Sequence, residues 1–400
     1  MRVVGIVAEY NPLHNGHIYH MEQARAQSDA DYVIVVMSGS FVQRGEPACI
    51  DKYTRAEWAL LAGADLVLEL PAVFAVSSAE RFAVGAIRTL NATGVVNELA
   101  FGCEESDVVT LSRLSGLLSN EPEAYREALK LHLSEGKSFP RARYEALCDY
   151  NVPEEMLRAV AQPNNILAIE YLNALSAYAP HILPLPIARI ACGYADTQLS
   201  GEISSATAIR EALRSGNREV LTAMPSFVGG RIFYDDSFPL LQSQFSDMIL
   251  YALRRMTPEQ LRELPDVGEG FENVLFRAVR SVDTVEALYE SVKSKRYTLA
   301  RCKRIAISAL LGITLTKTHE LMRSPEGTYL HVLGFRNSAR PLLSEIGKRR
   351  RAPMVIRNAD ISACPPALQA SLETDFLGTD LVRIAAKKEL HRDTDGAIQL

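Results

Sequence analysis

Two histidines three residues apart, His14 and His17, stand in the run Val7-Ala8-Glu9-Tyr10-Asn11-Pro12-Leu13-His14-Asn15-Gly16-His17. The apolar residues before them predict a first strand and those after them a first helix, so the pair falls at a strand-to-helix turn. In an open α/β sheet that crevice is where ligands bind. The free N–H groups and dipole of a helix start attract phosphate, and Gly16 removes a side chain that would hold phosphate off the backbone. Imidazoles placed there can donate to charge that builds on a phosphate while pyrophosphate is displaced from it. Two other readings stay open: an H-x-x-H metal pair, for which no third ligand stands nearby in sequence, and histidines that merely cap a helix.

The elements that position this turn follow an alternating pattern. Strands are predicted at residues 2–8, 32–37, 65–70 and 98–101, with a later one at 181–186; helices are predicted at 17–27, 52–62 and 77–91. Strands apolar on both faces and separated by helices make a parallel sheet covered on both sides. The fold class expected is therefore α/β, a Rossmann-like doubly wound parallel sheet over residues 1–215, with a C-terminal mainly α-helical domain over residues 216–400. Short β-prone runs at 328–335 and 354–357 predict a small appended sheet.

Composition narrows the class. The chain has 400 residues, 48% of them hydrophobic and 23% charged, an ordinary folded profile that excludes collagenous and disordered proteins. Six cysteines occur without a C-x-x-C pair, so neither a zinc cluster nor a disulfide framework is indicated, and a reducing cytoplasm is expected. The amino terminus turns polar at Glu9, and the apolar stretch near residues 60–76 is broken by Asp65 and Glu69, so no membrane segment is expected. The net charge of -5 conceals an asymmetry: residues 1–215 hold 17 basic against 26 acidic side chains, residues 216–400 hold 26 against 22. Lys293, Lys295, Arg296, Arg301, Lys303 and Arg304 crowd into residues 290–304 with one glutamate, and Lys348 to Arg351 read KRRR. A polyanion can dock on such clusters; a solvated helix face and a charged loop are the plainer alternative.

The run NPLHNGH resembles the N-P-x-H-x-G-H signature of the nucleotidyltransferase superfamily, whose members attack the α-phosphate of a nucleoside triphosphate. That resemblance implies a later Ser/Thr-rich motif ending in arginine for the outer phosphates. Ile203-Ser204-Ser205-Ala206-Thr207-Ala208-Ile209-Arg210 looks like it, with Ser205 capping the next helix and Ser205, Thr207 and Arg210 as phosphate ligands. GIVAEYNPLHNGH, VMSGSFVQRGEPA, DLVLELP, FGCE, QPNNILAIEYL and ISSATAIRE, in that order, are together similar to the tRNA(Met) cytidine acetate ligase family. The likeness implies acetyl-adenylate formation from ATP and acetate, then acetylation of the wobble cytidine amine of elongator tRNA(Met).

By the same resemblance the ATP site takes in Val7, Ala8, Glu9, Tyr10, Asn11, Pro12, Leu13, His14, Asn15, Gly16, His17, Ile18, Tyr19 and His20, with Gly102, Asn165, Arg189 and Ile190. His14, His17, Lys52 and Arg210 are expected to be catalytic, the 293–304 cluster to bind tRNA, and Mg²⁺ to arrive on the nucleotide. A carboxylate attacking a triphosphate joins two anions and needs cations to offset repulsion. Arg44, Lys52 and Arg55, after the second strand, are candidate clamps for acetate or phosphate, or exposed charges with no such role. Walker A, G-x-G-x-x-G and G-x-S-x-G motifs are absent from the sequence, which leaves P-loop, dinucleotide and serine-hydrolase readings without their devices. An enzyme making a small adenylated cofactor and a non-catalytic RNA-binding module are the competing functions.

Overall fold

The computed structural model describes residues 1–104, 107–189, 203–234, 239–268, 270–389, 393 and 397–400. Five runs rich in Val, Ile and Leu form its parallel strands: β1 (Val3–Ala8), β2 (Tyr32–Ser38), β5 (Leu66–Leu70), β6 (Glu98–Cys103) and β7 (Leu183–Ala188). A two-stranded hairpin, β3 (Phe41–Val42) and β4 (Glu46–Pro47), projects after β2. The parallel strands lie in the order β5-β2-β1-β6-β7, and the direction of winding reverses at β1, which puts the crevice at the carboxyl end of that strand. β7 holds Pro184 and Pro186 and lies on the sheet edge, where a residue without an N–H does least harm to the ladder.

The opposite edge is closed from the far end of the chain. β8 (Leu330–Phe335) pairs antiparallel with β5, and β9 (Met354–Val355) and β10 (Ile398–Gln399) pair parallel with β8. The small appended sheet expected from sequence is thus not separate: it extends the main one. The register shift between Val67 and Leu68 accommodates the antiparallel partner. Between residues 246 and 323 the second half is helical, and Thr257, Thr284, Thr298 and Thr314 cap four of its helices. One continuous apolar core runs from Ile34 and Leu66 on the sheet, through Phe74 just after β5, to Leu253, Leu275 and Ile305 on those helices. Among the described residues, no helix is long and apolar enough to cross a membrane.

A buried charged cluster fastens the two halves together. Lys52, at the start of α2 (Lys52–Leu61), puts Nζ 2.7 and 2.9 Å from the two oxygens of Glu69 on β5 and 2.5 Å from Asp393. His331 on β8 shares Glu69 at 2.6 Å, and Tyr329 donates to Asp375. Burial alone would depress the lysine's pKa, but the Asp393 and Glu69 carboxylates reverse this and raise it above normal. Burial likewise pushes Glu69 up, and Lys52 and His331 bring it below the usual carboxylate value. Asp375, buried and facing Glu69, is raised well above that value. Lys52, expected from sequence as a catalytic clamp, is an interior residue ion-paired to Glu69 and Asp393. The Lys52→Met substitution should strand two buried carboxylates and cost about 3–5 kcal/mol of stability, read as a lower urea midpoint.

Candidate active site

The turn after β1 is shaped by the residues that follow it. Tyr10 takes φ 47°, a left-handed conformation uncommon for a bulky residue, and the Asn11–Pro12 peptide is cis. His14 is extended at φ -143° and caps α1 (Asn15–Ser28). Its Nδ1 accepts the Gly16 N–H at 3.1 Å, while its own N–H donates to Nδ1 of His17 at 3.3 Å. Each Nδ1 is thereby an acceptor, so in the neutral rings the proton resides on Nε2. The imidazoles stack with centroids 3.7 Å apart, and Tyr10 meets His17 edge-on. A Cβ on Gly16 would come within 3.0 Å of the His14 ring, so any larger residue would push that imidazole from its cap.

Burial, and after it the nearby Arg189 and Arg210, lower His14 to about 3. Burial and then His14 take His17 well below its ordinary value, and burial with Arg189 takes His20 to about 4. In the ligand-free cleft the His14 and His17 rings are neutral donors through Nε2, suited to an anion that would otherwise meet fixed positive charge from the arginines.

A cleft of about 350 Å³ opens here at the carboxyl edges of β1, β6 and β7. The Ser/Thr-rich motif forms its second side. Ser205 accepts the Ala208 N–H at 3.0 Å and caps the Ala206–Arg214 helix. Arg210 donates to the Asn11 carbonyl at 3.0 Å and to Thr207 at 3.4 Å, joining the two motifs directly. Two helix starts thus converge on one space, a pair of N–H-rich ends fit for a polyphosphate.

Of the fourteen residues from Val7 to His20 expected at the nucleotide, Val7, Ala8, Glu9, Tyr10, Asn11, His14, Gly16, His17, Tyr19 and His20 line the cleft. Pro12 and Leu13 are buried beneath it, Asn15 donates to the Thr222 carbonyl at 3.0 Å, and Ile18 packs on the core. Gly102, Arg189, Ser205, Thr207 and Arg210 also face it. A side chain at Gly102 would stand between His20 and Arg189. Asn165 is fully buried, and its Oδ1 accepts the Glu104 N–H at 3.0 Å, so it braces the strand end while Asn164 lines the cleft. Ile190 lies outside the described residues.

Two of the three candidate clamps are redirected. Lys52 is in the interior cluster, and Arg55 is wholly buried, donating to the carbonyls of Glu9, Ser38, Gly39 and Ile50. Arg55 is a staple for the ends of β1 and β2; only Arg44 reaches the cleft. The residues that sequence reasoning missed belong to the same hairpin. The Gln43 N–H donates to Glu9 at 2.8 Å, and Glu46 pairs with Lys303. Burial raises the Glu9 carboxyl, partly offset by Gln43 and by Arg210, Arg55 and Arg44. The motif VMSGSFVQRGEPA held the signal, but nothing in it says which polar side chain turns inward.

The basic clusters also divide. Lys293, Lys295 and Arg296 are exposed, Arg301 is half-buried, and Lys303 and Arg304 are engaged by Glu46 and Asp266. Arg301 lies over the Tyr297 ring, 4.2 Å from its centroid, and donates to the Asp266 carbonyl. The KRRR run sits at the amino-terminal edge of the sheet, where the Arg351 N–H meets the Ala92 carbonyl at 2.8 Å. That is the edge away from the cleft.

The arrangement of paired imidazoles, a capped Ser/Thr helix and a bridging arginine is that of a nucleotidyltransferase centre. A family profile described as HIGH Nucleotidyl Transferase matches residues 1–396. The tRNA(Met) cytidine acetate ligase of Acetivibrio thermocellus is 41% identical over 406 residues, covering 98% of this chain and 97% of its own. The enzyme of that name from Caldanaerobacter subterraneus is 40% identical, with 97% and 96% covered. Thermotoga maritima TmcAL superposes with a TM-score of 0.92 at 32% identity, all of both chains being covered, and its complex with alpha-thio ATP gives 0.90. The chain belongs to the tRNA(Met) cytidine acetate ligase family of HIGH nucleotidyltransferases, and is a ligase.

The depressed histidines set a pH dependence. Their unfolded value is about 6.5 and the folded values of His14 and His20 are about 3 and 4, so the unfolded chain binds more protons between these limits. Their contribution to stability is complete above pH 6.5 and falls as the pH drops toward the folded values. Thermal denaturation of the ligand-free protein should show a midpoint that declines on acidification from about pH 7 to 5, and His14→Asn should flatten that slope.

Proposed function

We propose that the protein activates acetate with ATP and transfers the acetyl group to the N4 amine of the wobble cytidine of elongator tRNA(Met). The observation that carries this reading is the meeting in one cleft of two neutral Nε2–H imidazoles and the Ser205-capped helix with Arg210. Such a set suits displacement at an α-phosphate, and the names of the full-length relatives supply acetate and tRNA(Met) as the substrates.

In the first step an acetate oxygen attacks the α-phosphorus. The bond to the β-phosphate oxygen breaks, and pyrophosphate departs with its electron pair. His14 and His17 donate to α-phosphate oxygens as charge builds there, and Ser205, Thr207 and Arg210 hold the departing phosphates. Arg44 offsets the approach of the acetate anion. The cleft offers imidazoles, hydroxyls and guanidinium to the phosphates, with Glu9 and Glu46 also among its described lining; a Mg²⁺ ion arriving with the nucleotide would supply charge neutralisation. In the second step the cytidine N4 attacks the acetyl carbonyl carbon, the bond to the phosphate oxygen breaks, AMP leaves, and N4 gives up one proton to water in the cleft.

The test is acetate-dependent exchange of pyrophosphate into ATP, followed by transfer of labelled acetate to tRNA(Met); no label on the tRNA refutes the reading. His14→Ala and His17→Ala should each lower the exchange rate by about 10²–10³-fold with unaltered circular dichroism. tRNA binding should weaken with salt, and Lys295→Ala or Arg296→Ala should each reduce the slope of log affinity against log salt by about 1, measured by filter binding.

A further inference from the structure

A second cavity, of about 410 Å³, adjoins the nucleotide cleft and shares two wall residues with it, Glu46 and Arg210. It lies between the β3–β4 hairpin, the far end of the Ala206–Arg214 helix and the helices of the second half. Arg214, one turn beyond Arg210, continues the wall. A segment at 239–243 forms another side, held by the Leu240 N–H on the Cys49 carbonyl at 3.0 Å. The opposing side comes from Glu286, Tyr289, Leu299 and Lys303.

This cavity has the chemistry of a nucleobase site. Leu241 and Leu299 line it and keep 37% and 43% of their surface exposed, apolar surface against which a flat ring can lie. Gln242 donates to the Tyr289 hydroxyl at 2.6 Å, so the polar floor is fixed. Glu46 stands where the two cavities meet. Burial pushes its carboxyl up, but the hydrogen bond from Lys303 prevails and holds it below the ordinary value, so it is an ionised acceptor. Carboxylates accept from the exocyclic amine of cytosine; a uracil would turn its O4 acceptor toward the same charge and be repelled. Leu299 and Lys303 belong to the helix just after the exposed Lys295 and Arg296. RNA phosphates held by that loop would therefore lie beside the opening.

We propose that this second cavity receives the cytosine of a nucleotide turned out of the RNA, and that the Glu46 carboxylate accepts from its exocyclic amine. The amine then faces the opening shared with the nucleotide cleft. This inference rests on the acetylation of tRNA proposed above and assigns the acceptor a seat apart from ATP.

The test uses the full-length protein and anticodon stem-loop RNAs carrying C or U at the wobble position. In the unaltered protein the C form should bind at least tenfold more tightly than the U form. Ser243→Trp, which fills the cavity, should weaken the C form at least tenfold while acetate-dependent pyrophosphate exchange continues. Leu299→Trp, from the opposite wall, should do the same, and Glu46→Gln should bring the C and U affinities together. Unchanged binding of the C form by both tryptophan variants overturns the proposal. So does a C preference that survives Glu46→Gln, or loss of exchange in both tryptophan variants, which would merge the two cavities. An unaltered protein that prefers C but supports no acetate-dependent exchange would refute the adenylation reading while leaving this seat intact.

Discussion

The cleft depends on where two protons sit. His14 and His17 use their Nδ1 atoms as helix caps, one for the Gly16 N–H and the other for the His14 N–H. That arrangement commits each neutral ring to carry its proton on Nε2, the atom left to meet a ligand. A capping interaction normally contributes only stability. Here it selects a tautomer, so folding the first turn of α1 and preparing the donors are the same event. Gly16 belongs to this constraint, since a side chain there would displace the ring that makes the cap.

Around this turn, strongly charged residues act as girders. Arg55 spends its guanidinium on four carbonyls at the ends of β1 and β2 and around α2, and Lys52 ties β5 to Asp393 from the other end of the chain. Interior cations with satisfied donors tie these segments to one another. Of the arginines that face the cleft, Arg44, Arg189 and Arg210, the last two depress His14 and still complement a polyphosphate. Positive charge and neutral donors are therefore separated by position within a few ångströms, a division that burial makes possible.

Much of this was legible in the residues. The alternation of apolar runs placed all five parallel strands to within two or three positions, because strands buried on both faces leave an unmistakable composition. The histidine turn and Ser205 were legible because capping and phosphate binding use the same short-range geometry. The fates of Lys52 and Arg55 were not, since nothing local distinguishes a lysine whose partner lies 341 residues away from one in solvent. β8 was read only as part of a small appended sheet for a related reason: antiparallel pairing with β5 is a long-range choice that periodicity does not encode. Glu46 was passed over because its meaning comes from Lys303, on a helix of the other half.

The closure of the sheet by β8 also bears on how the chain is made. The β5 strand, LVLEL, is apolar apart from Glu69, and until residues 330–335 emerge its outer edge lacks its β8 partner. During synthesis from the amino terminus that edge stays uncovered while residues 71–329, well over half of the polypeptide, are translated. Such an edge invites pairing with a neighbouring nascent chain. A fragment ending near residue 215 would lack β8, the strand that covers this border.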